Sequence, residues 1–141
     1  MANRLGLRWR AGLIQELMCH LSEVGDRLPL VQDELMQLPG VGDYCAAALL
    51  SLHAGRRAVI IDSNVVRVLA RLVGRPFDGE TRRKGWLRSL ATRLTPALEH
   101  QNYNNGLLDI AMTVCVRKPR CFECPLLFGC VTGQANTTKP A

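Results

Sequence analysis

The stretch Cys115-Val-Arg-Lys-Pro-Arg-Cys121-Phe-Glu-Cys124-Pro-Leu-Leu-Phe-Gly-Cys130 contains four of the six cysteines of this 141-residue chain. Four thiolates separated by five, two and five residues can surround one metal centre. The same loop carries three cations, which are Arg117, Lys118 and Arg120. A loop that is held by a metal centre and has cations on its surface suits a partner that is rich in phosphate.

The composition limits the class of protein. At 141 residues, the chain is long enough for one domain with a core. Its content of 48% hydrophobic residues indicates that it is neither disordered nor fibrous. The sequence shows neither an apolar run of membrane-spanning length nor a secretory signal, so we expect a cytoplasmic protein with reduced cysteines. The net charge is +6 and 15 of the 18 cations are arginine, a balance that favours a nucleic-acid partner.

Hydrophobic residues recur at helical spacing along most of the chain, and no segment alternates long enough to predict a strand. The pattern predicts an all-α fold with helices at about 9–24, 33–38, 43–53, 62–74, 81–94 and 96–115. We expect residues 1–114 to form a helical core and residues 115–130 to form the cysteine loop. The polar segment 131–141 is expected to be a disordered tail.

A tight turn separates the second and third predicted helices at Leu38-Pro39-Gly40-Val41-Gly42. Proline ends one helix, and the two glycines allow a hairpin that Asp43 follows as an expected N-cap. Backbone N–H groups at the start of the next helix form a site for an anion such as a DNA phosphate. Taken alone, such a turn is more often an ordinary connection between helices.

Twenty residues after Gly42 comes Asp62-Ser-Asn-Val-Val-Arg67, within the segment Val59 to Arg71. Together with the hairpin, the segment Asn104 to Asp109 and the cysteine loop, this segment resembles the helix-hairpin-helix DNA glycosylases of the endonuclease III superfamily. The resemblance covers roughly residues 5–130. It implies an all-α helix-hairpin-helix glycosylase core with a C-terminal iron–sulfur cluster loop. It also implies a function in base-excision repair, where a mismatched or damaged base is removed from duplex DNA.

The resemblance assigns a catalytic role to Asp62. In the family, the matching carboxylate stabilises the positive charge that develops on the deoxyribose when the N-glycosidic bond breaks. The alternative is that Asp62 caps the helix that follows it, a role that aspartate fills readily.

Tyr44 occupies the position where family members that also cleave the DNA backbone have a lysine. Because a phenol cannot form a Schiff base, Tyr44 implies a monofunctional glycosylase acting on thymine, uracil or adenine opposite guanine. The segment Asn104 to Asp109 and the short chain after Cys130 favour the thymine/uracil group. The alternative is that Tyr44 is a partly buried helix residue without a role in specificity.

The cysteine loop resembles the family's [4Fe–4S] loop, with one departure. Cys115 and Cys121 enclose five residues, whereas six are usual in the family. Four thiolates also suit zinc, so a zinc-stabilised helical interaction module remains an alternative. The other two cysteines, Cys19 and Cys45, are expected to be packing residues rather than ligands.

The resemblance implies double-stranded DNA as the partner. The backbone N–H groups of the hairpin residues Gly40, Val41 and Gly42 would hold a phosphate. A monovalent cation bound at the hairpin is a further expected cofactor. The loop cations named above would contact the DNA backbone further along.

The first residues of the chain match a segment well inside the family's chain. We therefore expect the family's N-terminal helices to be missing. The alternatives are a truncated or misread gene product, a fragment that binds DNA without catalysis, and one half of a split enzyme whose partner chain supplies these helices.

Overall fold

The structure is a computed structural model that describes residues 8–25 and 27–138, with side chains from Arg10 onward. The predicted start of the resemblance at Leu5 and the last three residues lie outside this range. No strand occurs among the residues described, so the predicted all-α fold is confirmed. No helix in this part of the chain combines the length and hydrophobicity needed to cross a membrane. The chain divides into two compact units, Met1–Arg56 and Arg57–Ala141, and this boundary falls within the predicted core.

Among the residues that the structure describes, the first unit contains three α-helices. They are α1 (Arg8–Glu23), α2 (Gln32–Leu35) and α3 (Asp43–Ala48), and α3 continues as a π-helical turn over Leu49–His53. The N-cap of α3 is Gly42 and not Asp43, so that prediction was wrong by one residue. Asp43 lies in the first turn instead, where a carboxylate suits the positive end of the helix. Its Oδ1 accepts a hydrogen bond of 2.6 Å from Gln32 Nε2, which links α2 to α3.

The second unit is built around α4 (Ser63–Leu72), which contacts α5 (Gly85–Leu94), α6 (His100–Thr113) and α7 (Val131–Thr138). A helix of ten residues is marginal in isolation, so packing against these neighbours must stabilise α4. The buried core cluster consists of apolar residues from α4, α5 and α6, which are Val65, Val66, Val68, Leu69, Leu87, Ala91, Leu107 and Ala111.

Two predicted segments differ from the structure. The helix expected at 81–94 is a 3₁₀ turn, Thr81–Arg83, followed by α5, because Lys84 between them has extended backbone angles. The disordered tail expected at 131–141 is helical over Val131–Thr138. A polar composition does not prevent a helix whose first turn is hydrogen-bonded and whose small residues pack against a neighbouring loop. Here Gly133 is buried and its N–H donates to the sulfur of Cys130.

Candidate catalytic carboxylate and cysteine loop

Asp62 is the N-cap of α4, as one of the two interpretations predicted. Its Oδ1 accepts a hydrogen bond of 2.7 Å from the Val65 N–H. Its Oδ2 accepts a hydrogen bond of 2.9 Å from Asn64 Nδ2. The carboxylate therefore has a fixed orientation at the N-terminus of a helix. Each oxygen retains further lone pairs, so capping leaves the carboxylate able to act on a substrate.

Asn64 and Arg67 connect this carboxylate to the cysteine loop. Arg67 Nη1 donates to Asn64 Oδ1 over 3.1 Å, while its Nη2 donates to the Ala111 carbonyl over 2.8 Å. Its Nε donates to the Cys115 carbonyl over 2.7 Å. A hydrogen-bonded path thus runs from Asp62 through two side chains to the first cysteine of the loop. The sequence prediction used Asn64 and Arg67 only as part of the motif that carries the family resemblance, and it gave neither residue a role in the site.

Arg71, one turn further along α4, holds the same loop. Its guanidinium donates to the carbonyls of Val116 (2.6 Å) and Arg117 (3.0 Å), and it lies 3.4 Å from Cys115 Sγ. The Arg71 carbonyl accepts from Cys130 Sγ over 3.5 Å. One residue of α4 therefore contacts the first and the last cysteine of the loop.

The four loop cysteines lie close enough to one another to interact electrostatically. Burial raises the pKa of the Cys124 thiol, a backbone hydrogen bond from Leu126 lowers it, and charges on the other three loop cysteines raise it further. Among the residues described, no three histidine, cysteine or acidic side chains are arranged to hold a single metal ion. Four neighbouring thiols match the donor set of a [4Fe–4S] cluster, in which each iron takes one cysteine.

The two remaining cysteines do not pack as expected. Cys19 and Cys45 are both exposed, so the prediction that they are packing residues was wrong. Both lie in the first unit, whereas the cysteine loop belongs to the second.

The loop cations separate into two kinds. The Arg120 guanidinium donates to the Thr113 carbonyl over 2.6 Å and forms an ion pair of 3.0 Å with Glu123. It therefore ties the end of α6 to the loop. Arg120 is exposed despite these contacts, and Arg117 and Lys118 are exposed as well. These two cations present the charge that a phosphate could contact.

The hairpin of the first unit has the backbone that its sequence predicts. Gly40 has a φ of 73°, and a Cβ at this position would lie 3.0 Å from Leu13 Cβ. Both the positive φ and the close approach of α1 require glycine. The Val41 N–H donates to the Leu38 carbonyl over 3.1 Å and closes the turn. The Tyr44 side chain, in the first turn of α3, is 43% exposed.

Comparisons with known proteins agree with this fold. No model of a protein family matches the chain. The chain is 37% identical over 132 residues to the thymine-DNA glycosylase of Aeropyrum pernix, with 86% of this chain and 57% of the relative covered. It is 35% identical over 106 residues to the adenine DNA glycosylase of Arabidopsis thaliana, with 72% of this chain and 16% of the relative covered.

Solved structures give the same result. A thermostable thymine-DNA glycosylase superimposes with a TM-score of 0.81 and 32% identity, covering 90% of this chain and 59% of that one. Endonuclease III in a non-covalent complex with DNA superimposes with a TM-score of 0.75 and 29% identity, covering 92% and 60%. The chain belongs to the helix-hairpin-helix glycosylases of the endonuclease III superfamily, which confirms the resemblance. It spans about half the length of the thymine- and thymine/uracil-DNA glycosylases that it matches, and less of the adenine DNA glycosylases.

Proposed function

We propose that this protein is a monofunctional DNA glycosylase of base-excision repair, which hydrolyses the N-glycosidic bond of a mismatched base. The observation that carries the proposal is Asp62, a carboxylate held by the Val65 N–H and the Asn64 amide at the start of α4. The relatives named thymine- and thymine/uracil-DNA glycosylase favour thymine or uracil opposite guanine as the substrate. Adenine opposite guanine is the second candidate, since adenine glycosylases are also relatives.

The proposed chemistry follows from the charge that develops on the sugar. As the N-glycosidic bond breaks, the deoxyribose acquires positive charge, which a fixed carboxylate stabilises more strongly than mobile water does. Asp62 is oriented before the reaction by its two hydrogen bonds, so it need not reorganise as the charge develops. A lone pair on the same carboxylate can also orient or deprotonate the attacking water. The target base must leave the DNA stack to reach such a group.

Tyr44 supports hydrolysis without strand cleavage. A phenol cannot form the imine through which an amine nucleophile would cleave the DNA backbone. We assign Tyr44 to the lining of the base pocket, because its side chain is exposed at the start of α3, four residues after the hairpin glycine Gly40.

The proposed cofactor is a [4Fe–4S] cluster held by Cys115, Cys121, Cys124 and Cys130. Such a cluster would fix the conformation of a loop that otherwise has only short 3₁₀ turns. Arg67 and Arg71 support the assignment because they position the start of the loop and place a guanidinium beside Cys115 Sγ. A zinc ion bound by the same four thiolates is the alternative that metal analysis distinguishes.

The proposed DNA contacts come from both units. In the first unit, the N–H groups of Gly40 and Gly42 would bind a phosphate, whereas the Val41 N–H is used to close the turn. A monovalent cation would bind at the same hairpin. In the second, Arg117 and Lys118 would bind a further phosphate. Arg120, which the sequence placed among the DNA contacts, is assigned instead to holding the loop against α6.

The function is tested by incubating the protein with labelled duplexes that contain T/G, U/G, A/G or normal pairs. The chain and any longer gene product that contains it are both assayed. We expect excision from a mismatched duplex, with strand breakage only after alkali because an intact abasic site remains. Breakage without alkali would contradict the monofunctional mechanism. Salt-dependent binding without excision by every form would instead support a DNA-binding module.

A further inference from the structure

The helix α7 begins directly after the last loop cysteine, and that cysteine caps it. Cys130 Sγ accepts a hydrogen bond of 3.3 Å from the Gly133 N–H. The Cys130 carbonyl accepts a second bond of 2.9 Å from the Gln134 N–H. The sulfur therefore occupies the position of a side-chain N-cap acceptor.

A second residue of α7 reaches another loop cysteine. Asn136 Nδ2 lies 3.5 Å from Cys121 Sγ and donates a hydrogen bond to it. Asn136 and Gly133 are three residues apart, so they lie on one face of the helix. That face supplies two N–H donors to two sulfur atoms of the proposed cluster ligands.

Two close contacts hold α7 in place. A Cβ added to Gly133 would lie 3.2 Å from Leu127 Cδ1 and 3.4 Å from Cys130 Sγ. A Cβ added to Gly74, just after α4, would lie 2.6 Å from Val131 Cγ1. Both positions accept only glycine without a shift of the neighbouring atoms. The helix therefore packs closely against the cysteine loop and against the end of α4.

We propose that α7 is a cluster clasp, in which the Gly133 N–H and the Asn136 amide hydrogen-bond the sulfur ligands and keep the cluster bound. This inference rests on the proposed [4Fe–4S] cluster and adds two residues that support it without ligating iron. Hydrogen bonds to the sulfur atoms stabilise the extra negative charge of the reduced cluster, so they raise its reduction potential. A helix packed over two ligands also limits the access of water and chelators to them.

The test compares Asn136→Ala, Asn136→Asp and Gly133→Ala with the control Thr138→Ala. Thr138 lies on the same helix, is exposed, and donates to the Gln134 carbonyl rather than to a sulfur. Replacing Asn136 or Gly133 by alanine raises intrinsic helix propensity. If α7 acted only through its helical stability, these two variants would retain the cluster at least as well as the wild type.

We expect the opposite result. The cluster absorbance of Asn136→Ala should decay about tenfold faster in air with chelator, which corresponds to the lower end of the roughly 10–100-fold loss of metal affinity that follows removal of a group supporting a ligand. Asn136→Asp should decay faster still, because an isosteric carboxylate oxygen then faces the sulfur. Both variants should have a lower reduction potential than Thr138→Ala and the wild type in dye-mediated titrations. Gly133→Ala should also lose cluster absorbance faster than the wild type, because its Cβ would lie 3.3 Å from Cys130 Cβ and this ligand would have to shift by a few tenths of an ångström.

The outcomes separate this inference from the proposed function. Wild-type protein that binds no iron would overturn both the cluster and the clasp. A stable wild-type cluster with unchanged decay and potential in Asn136→Ala and Asn136→Asp would overturn the clasp alone. Because Asn136 is exposed, these two variants should fold, and circular dichroism confirms that before the cluster is measured.

Discussion

Replacing Asp62 by asparagine tests the catalytic assignment most directly, and the structure predicts more than a loss of charge. Asparagine can keep the bond from the Val65 N–H through its Oδ1. Its Nδ2 then takes the place of the oxygen that accepts from Asn64 Nδ2, so two donors face each other. If Asn64 turns its amide to compensate, its Nδ2 faces Arg67 Nη1, which now donates to Asn64 Oδ1.

The expected magnitudes separate stability from catalysis. One lost hydrogen bond costs about 0.5–1.5 kcal/mol, and the lost charge at the helix N-terminus costs about 0.3–1 kcal/mol. The free energy of unfolding should therefore fall by about 1–2 kcal/mol. Removing a group that stabilises charge in the transition state should lower the excision rate by about 10²–10³-fold, equivalent to about 2.7–4 kcal/mol. DNA binding should remain close to that of the wild type.

The assay is single-turnover excision from the preferred mismatched duplex, with unfolding followed on the same samples. Asp109→Asn is the matched control, because Asp109 is an exposed aspartate on α6. Asp62→Ser is a second control, which keeps an N-cap acceptor but removes the carboxylate. We expect Asp109→Asn to excise normally and Asp62→Ser to be as inactive as Asp62→Asn. A wild-type excision rate in Asp62→Asn would refute the catalytic role and leave Asp62 as a helix cap.

Three further predictions concern the cysteine loop. Replacing Arg117 and Lys118 with alanine should weaken duplex binding for every sequence and reduce the log–log salt slope by roughly one unit per phosphate contact, measured by fluorescence anisotropy. Arg120→Ala should reduce this slope less, because the Arg120 guanidinium is already paired with Glu123, and equal slopes in all forms would place the DNA surface elsewhere. Arg67→Ala removes three hydrogen bonds and should lower the free energy of unfolding by about 3 kcal/mol, as denaturant titration would report; wild-type stability would contradict the connecting role. Anaerobically purified protein should contain about four irons and four labile sulfides per chain, whereas stoichiometric zinc without sulfide would replace the cluster with a zinc site.

The features that the sequence predicted correctly depend on local signals. Proline and two glycines specify the hairpin, because only glycine adopts the positive φ of Gly40 without strain. Aspartate before a run of apolar residues predicts the cap of α4, and helical periodicity predicts an all-α fold. The family resemblance rested on the order and spacing of these motifs, and the similarity to known glycosylases confirmed the family. None of these inferences needed contacts between distant residues.

The sequence alone therefore determined the fold class, the family and the candidate carboxylate and thiolate ligands. Only the tertiary structure revealed that Arg67 and Arg71 connect α4 to the cysteine loop, and that Arg120 is engaged by Thr113 and Glu123. It also showed that the polar segment after Cys130 is a helix whose donors meet two sulfur atoms. Arginines that bind distant carbonyls have no periodic pattern, and a polar helix has no apolar stripe. Their structure depends on where the folded chain places their partners, and a linear sequence does not carry that information in its local spacing.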